Sequence, residues 1–499
     1  MKKISIYGIS LIALIILGCS KDISNKVSQE EVQKEPLTST EINNIIRETL
    51  DKEGDFDWNK VDVFVLWSAL QLGDNVLTIG YNDKPFSDLN SKSSDKTKQD
   101  ILNQISELEE GTTKDARKGE SILIAEGHEL NFIDVYVSEL NTLVELRNNP
   151  KIRYMEPSGY NYFSDEITKS DSGCDTSPQS INSGDYTMME PNCEVSWTYE
   201  KHKISSAWSY SSGSGVTVGL IDTGVSSEQP LLGSSFNQGY STGRTIQKFG
   251  VYVDSVWPWS TKTDGSADKC GHGTRMASTL AAPRNNLGYP AGVAYNCNLV
   301  AYRATGDVVL DGYHEQRGVS QALTELANMS SVKVISMSIG HIFTIGSISD
   351  AIKYAYSKGK MIVAAGGTST TFTNWAGVIF PANMNETVAA TGITDDSGYT
   401  ECAVCHKGSK IDFTVIMQRS YNSDRTSVCL GFYANTRNYV GGSSVATSTT
   451  AGIAALIWGR YPTWTRDQVL DRMKKSASLY PNRSDDFGWG SINALTAVQ

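Results

Sequence analysis

Residues 348–367 read ISDAIKYAYSKGKMIVAAGG, and the way this stretch divides decides the fold. ISDAIKYAYSKG (348–359) has the texture of a helix, and Gly359 stands where a C-cap glycine belongs. KMIVAAGG (360–367) then follows at once as an apolar strand. The alternation extends upstream, where VTVGLID (216–222), LVAYRA (299–304) and VKVISMSI (332–339) are apolar strands separated by helices. Strands apolar on both faces, with helices between them, imply a parallel sheet covered on two sides. The expected fold is α/β, a three-layer α/β/α domain with a mainly parallel sheet. Ligands of such sheets sit at the carboxyl ends of the strands, so polar residues just past a strand are the candidates for chemistry.

Three stretches qualify. Asp222 ends VTVGLID and is followed by Thr223 and Gly224; locally it reads equally as a helix cap or as a buried functional carboxylate. His272, one of six histidines, lies between glycines in CGHGTRMASTLAA (270–282). A lone histidine is more often structural, but flanking glycines clear steric cover from the ring, and the small residues after it suit a helix packed tightly on a sheet. Ser444 lies in GGSSVATSTTAGIAALI (441–457), where two glycines allow a sharp turn into a helix lacking bulk. A serine at a helix start faces unpaired N–H groups and the positive end of the dipole, which suits an anion forming beside its hydroxyl. The bland reading is a helix cap on a buried structural helix. A serine nucleophile needs a base oriented by a carboxylate.

Chain order discriminates among triad families. Every histidine precedes Ser444, which excludes the Ser…Asp…His order, and no GDSGG is present. The order Asp222…His272…Ser444 remains. VGLIDTGV, GHGTRMAST and GGSSVATSTTAGIAAL resemble the three motifs of the subtilases, the subtilisin-like serine proteases. The similarity runs from about Val195 to Val498, opening on VSWTYEKHKISSAW (195–208) and closing on GWGSINALTAV (488–498). The resemblance implies Ser444 as nucleophile, His272 as general base and Asp222 as the residue orienting it. Ser443 takes the family's threonine place, and Ser448 a usual proline. It also implies that Ser338, Ile339 and Gly340 offer backbone groups to an extended peptide by strand addition, with His341 at the rim of the site.

One departure bears on rate. Where the family places an asparagine after AAG, this chain has Gly367, so Gly367 and Ser444 form an oxyanion region lacking one donor. Loss of such a donor typically costs about 10²–10³ in turnover. The Ser444 N–H, with a side chain such as Thr368 or Asn374, is expected to supply the hole. The expected function is an exported serine endopeptidase; its rival is a weakly active or silent peptide-binding pseudo-protease.

The N-terminus MKKISIYGISLIALIILGCS carries Lys2 and Lys3, then an apolar run of signal-peptide length, too short to span a bilayer. Gly18-Cys19 resembles a bacterial lipobox, implying lipidation at Cys19 and a place in the bacterial cell envelope. The expected organisation is a lipoprotein signal (1–19), a polar tether (20–56), a small α+β domain (57–160), a Ser/Asp/Gly-rich linker (161–194) and the catalytic domain (195–499). Within the small domain VLTIGY (76–81) and NFIDVYV (131–137) read as strands. LNTLVELRNNPKIRYMEP (140–157) is similar to the end of the inhibitor-type propeptides of subtilases, implying a zymogen inhibited by its own propeptide and cleaved between Tyr160 and Val195.

Composition excludes other classes. A net charge of −11 repels phosphate backbones and argues against nucleic acid. Protein or peptide substrates and the propeptide are the expected partners, with membrane contact only through the lipid. Without Cys19, the remaining cysteines are odd in number: Cys174, Cys193, Cys270, Cys297, Cys402, Cys405 and Cys429. CAVCH (402–406) matches a haem-attachment pattern, and Cys402, Cys405, His406 and Cys429 could in principle form a zinc site. A disulfide, with Cys429 as one partner, is the preferred reading. No cofactor is required and no metal site is assigned; the family often holds structural Ca²⁺, but Asp264, Asp268, Asp395 and Asp396 show no ligand spacing and read as solvated loop acids.

Overall fold

The structure is a computed structural model that describes residues 35–86, 92–109, 121–162, 173–368 and 377–499. Cys19 and Asn374 lie outside these residues.

The first domain is built from α1 (Ser39–Glu53), α2 (Val63–Leu72), β1 (Val76–Tyr81), α3 (Lys92–Leu108), β2 (Leu123–Glu126), β3 (Phe132–Tyr136), α4 (Leu140–Arg147) and β4 (Ile152–Glu156). Its strands pair antiparallel in the order β2-β3-β1-β4. The domain starts earlier than expected. Residues 39–53, within the expected tether, form a helix opened by a Thr38–Glu41 capping box. Ile42, Ile46 and Leu50 recur on one face and are buried with Leu77, Ile79 and Ile133 of the sheet. That apolar stripe is what makes the segment part of the core rather than a linker.

The second domain opens with the ribbon β5 (Tyr186–Met189) and β6 (Cys193–Ser196), then α5 (Trp197–Lys201) and α6 (Ile204–Ala207). Seven strands follow: β7 (Thr217–Asp222), β8 (Ile246–Gly250), β9 (Asn298–Arg303), β10 (Val332–Met337), β11 (Met361–Ala365), β12 (Thr387–Thr394) and β13 (Phe413–Gln418). They form one parallel sheet in the order β13-β12-β11-β10-β7-β9-β8. Successive side chains point to opposite faces, so neighbours on one strand enter different cores. Leu220 joins Val334, Val363 and Leu299 on one face, whereas Ile221 joins Ile335, Ile362 and Val300 on the other.

Helices fill both layers. Between β8 and β9 lies α7 (His272–Ala281); α8 (Tyr313–Asn328) and α9 (Gly346–Ser357) cover the opposite face. The ribbon β14 (Ser427–Leu430) and β15 (Arg437–Val440) leads into α10 (Gly442–Arg460), followed by α11 (Arg466–Lys475) and α12 (Ala494–Val498). Almost every residue of α10 is buried, as a helix lying against a sheet on one side and other helices elsewhere must be. Its lack of bulk has a cause in the packing: a Cβ on Gly452 would lie 2.7 Å from Val293 Cβ. The linker is likewise partly structural. Cys193 is fully buried in the second domain's core, and Cys174 forms a disulfide with Cys270. Among the described residues no helix is long and apolar enough to cross a membrane.

Candidate active site

Asp222 ends β7 and is fully buried. Its Oδ1 accepts the Thr223 N–H at 2.8 Å and pairs with His272 Nδ1 at 2.8 Å, while Oδ2 has no protein partner. A buried carboxylate holding Nδ1–H fixes the tautomer in which Nε2 is free to take a proton. The glycines around His272 are there for fit. Gly271, at φ 92°, turns the chain into α7, and a Cβ on Gly273 would lie 2.2 Å from the Gly224 carbonyl oxygen.

Asp268 is not the solvated loop acid its sequence suggests; it is 4% exposed and organises this turn. Its Oδ1 accepts from the Cys270 N–H (2.8 Å), the Gly271 N–H (2.9 Å) and the Thr223 hydroxyl (2.9 Å). Its Oδ2 accepts from the N–H (2.9 Å) and hydroxyl (2.7 Å) of Thr274. One carboxylate thus ties the start of α7 to the residue beside Asp222. An acid just ahead of a helix start is the available signal, since such residues satisfy unpaired N–H groups. The other acids are engaged too: Asp264 pairs with Lys269 and Arg303, Asp395 with Arg419, and Asp396 accepts the Thr394 hydroxyl.

Ser444 sits half-buried in the first turn of α10, its carbonyl accepting the Ser338 hydroxyl at 3.1 Å. It shares with His272 a cleft of about 520 Å³, also lined by Ser338, Ile339, Gly340 and Gly367. No hydrogen bond joins Ser444 to His272 in this state; such contacts commonly tighten only with substrate in place.

Gly367 adopts φ 124°, and a Cβ there would lie 2.3 Å from His406 Nδ1. The imidazole fills the space a side chain at 367 would need, and its Nδ1 is 2.9 Å from the Gly377 carbonyl. Burial lowers the pKa of His406. Beside it, Ser443 Oγ is 2.9 Å from Thr368 Oγ1 and accepts the Gly367 N–H at 3.3 Å. Thr368 Oγ1 accepts the Ser443 N–H at 3.3 Å.

The peptide-pairing edge differs from expectation. Ser338, Ile339 and Gly340 do reach the cleft, but the Gly340 N–H donates to the Val308 carbonyl at 3.1 Å and its carbonyl accepts the Leu310 N–H at 3.1 Å. The chain's own 308–310 segment occupies that edge in this state. His341 is buried, with Nε2 3.5 Å from Asp311.

The CAVCH cysteines are joined to each other, Cys402 to Cys405, rather than to Cys429, which is a buried free thiol. Three residues of separation let the two sulfurs meet, whereas Cys429 on β14 is directed at the Asn438 carbonyl. His406 turns to Gly367, so the four zinc candidates do not converge. Among the described residues no group of three or more His, Cys, Asp or Glu is arranged to hold a metal ion.

The fold and the sequence matches together define a subtilisin-like serine endopeptidase. The Subtilase family profile matches residues 213–490, more than half of the chain, and the chain belongs to that family. It is 29% identical to subtilisin DY of Bacillus licheniformis over 293 residues, covering 58% of this chain and 92% of that protein. Against subtilisin E of Bacillus subtilis (strain 168) it is 29% identical over 289 residues, covering 58% of this chain and 66% of that protein. Among solved structures, a protease from Pseudoalteromonas arctica PAMC 21717 aligns with a TM-score of 0.48 at 23% identity, covering 60% of this chain and 93% of the other.

Proposed function

We propose that this endopeptidase works through Asp222, His272 and Ser444, and that it is made as an exported, lipid-anchored zymogen. The observation that carries the reading is the 2.8 Å Asp222–His272 pair opening onto a cleft shared with Ser444. His272 Nε2 takes the Ser444 hydroxyl proton as Oγ attacks the peptide carbonyl carbon. The tetrahedral oxyanion collapses, the C–N bond breaks, and the amine leaves with the proton from His272. Water, deprotonated by the same imidazole, hydrolyses the acyl-Ser444 ester and restores the serine. The Ser444 N–H at the start of α10 and the Thr368–Ser443 hydroxyls flank the place where the oxyanion forms. Every step uses protein groups and water.

Several contacts support the zymogen reading. The first domain sits on α8 and α9 of the second. Arg153 binds Asp350 at 2.7 Å, Glu156 accepts the Gly346 N–H at the start of α9 at 2.9 Å, and the Tyr162 N–H donates to Asp311 at 2.8 Å. Such docking suits an inhibitor that covers the cleft before processing. The reading of export and lipid anchoring in the bacterial cell envelope is supported by the resemblance of the residues up to Cys19 to a lipoprotein signal.

A fluorophosphonate titration tests the reading. Processed wild type takes up one label per chain and Ser444→Ala takes up none. Unlabelled processed wild type would establish the silent peptide binder instead.

A further inference from the structure

The disulfide Cys174–Cys270 joins the segment after the first domain to the loop two residues ahead of His272. Gly173, beside the disulfide, reaches the cleft. The Gly173 carbonyl accepts from Arg275 Nη2 at 2.8 Å, within the same turn of α7 as His272. A Cβ placed on Gly173 would lie 3.3 Å from Val308 Cγ1 and 3.6 Å from His272 Cδ2, so the backbone is wedged between the two side chains. Its φ of 72° is a conformation only glycine adopts freely. On the other side of the disulfide, a Cβ on Gly271 would lie 2.3 Å from the Asp175 carbonyl oxygen. Downstream, Asn438 Nδ2 donates to the Ser177 carbonyl at 2.8 Å and the Gln179 N–H to the Arg437 carbonyl at 3.0 Å. The strand so secured, β15, is the one that leads to Ser444.

We propose that Gly173–Asp175, fastened by Cys174–Cys270, is a permanent wall of the cleft beside His272 and selects a small side chain at the substrate residue that docks against that imidazole. The proposal rests on His272 and Ser444 being the reacting pair. The covalent link keeps the wall in place wherever the chain is cut, except between Gly173 and Cys174. A cut before Gly173 leaves the segment on the catalytic chain. A cut after Cys174 leaves it bound through sulfur, together with everything N-terminal to it, so release of the first domain requires a cut before Cys174. Gly340 lines the same cleft, and its backbone pairing with Val308 and Leu310 holds in place the segment that Gly173 packs against.

The test uses the full chain, expressed with export, matured and titrated with fluorophosphonate so that only competent sites are counted. Fluorogenic peptides that differ at one position at a time, Gly or Ala against Leu or Phe, are compared by kcat/KM. Wild type should prefer the small residue at one position adjoining the scissile bond by about tenfold or more, the size of effect a few methylenes command in a tight pocket. Cys174→Ser with Cys270→Ser should bring that ratio to within about threefold while other positions keep theirs. Gly173→Ala, which keeps the disulfide and narrows the gap, should sharpen the preference, and it reads the wall even if the double variant fails to fold. No small-residue preference in wild type, or a preference unchanged in both variants, overturns the proposal. Separate mass mapping of the unreduced mature enzyme should recover a peptide pair linked through Cys174 and Cys270. If fluorophosphonate labels no chain while that pair is found, the catalytic reading has failed rather than the wall alone.

Discussion

Gly367 shows how one position can be decided by a residue far along the chain. Sequence alone reads it as a missing amide. The structure shows why the amide cannot simply be restored: at φ 124°, with His406 Nδ1 2.3 Å from where a Cβ would stand, any side chain must displace a ring held by Gly377. Gly367→Asn is therefore expected to lower stability by about 1–3 kcal/mol without raising kcat, measured by urea unfolding and active-site-titrated turnover. A variant more than about tenfold faster would show that His406 yields easily and that the hole lacks a donor after all. Asp222, His272 and Ser444 are legible as candidates because each stands at a strand end or helix start, and the order of their motifs, not the local pattern, suggests their roles. Asp268 is less so: four of its hydrogen bonds stay within its own turn, at Cys270, Gly271 and Thr274, but the one from the Thr223 hydroxyl, 45 residues away, exists only once that segment folds beside it.

At the scale of elements, VLTIGY has the same bounds in the sequence pattern and in the structure, and Gly359 does take the left-handed position just past α9, at φ 78°. α1 escapes a sequence reading because its polar face dominates the local composition, and its apolar stripe means little until the sheet of the first domain covers it. His202, at the end of α5, is a second element-level device. Its ring is buried between Ile492, whose carbonyl lies 3.1 Å from Nδ1, and Ile416, whose N–H donates to Nε2 at 2.9 Å. Donating from one nitrogen and accepting at the other requires the neutral ring. Burial lowers its pKa to about 4 from the usual 6.5. Because the folded pKa is depressed, this stability is complete above the unfolded value near 6.5 and is lost as pH falls toward 4. Relative to His202→Gln, the wild-type fold should lose about 3 kcal/mol between pH 7 and pH 4, read by urea unfolding in a Ser444→Ala background. An equal pH slope in both chains would remove His202 from the account.

Across the whole molecule, a buried ion pair is among the contacts that join the two domains. Asp350 on α9 is 2% exposed at its side chain, and it binds both Arg153 and the Tyr154 hydroxyl of the first domain. Removing one partner of such a pair typically costs about 3–5 kcal/mol, because the other charge stays buried unpaired. In the Ser444→Ala chain, Arg153→Met should speed hydrogen exchange in β4 by about a hundredfold while leaving β10 and β11 protected. Unchanged exchange in β4 would show that apolar contact alone seats the domain.

The period of its apolar residues, the glycine at a helix end and the order of three motifs were enough for the linear chain to specify a covered parallel sheet and a serine-protease family. The first two signals are local and survive being read a few residues at a time, whereas the third is read along the chain from Asp222 to Ser444. The partners of Cys174 and Cys402, the ring beneath Gly367, the Val308–Leu310 segment across Gly340 and the work of Asp268 were decided only by folding. Apart from the Cys402–Cys405 pair and the bonds of Asp268 within its own turn, each is a contact between segments that have no common pattern in sequence, brought together by burial of the two cores on either side of the sheet.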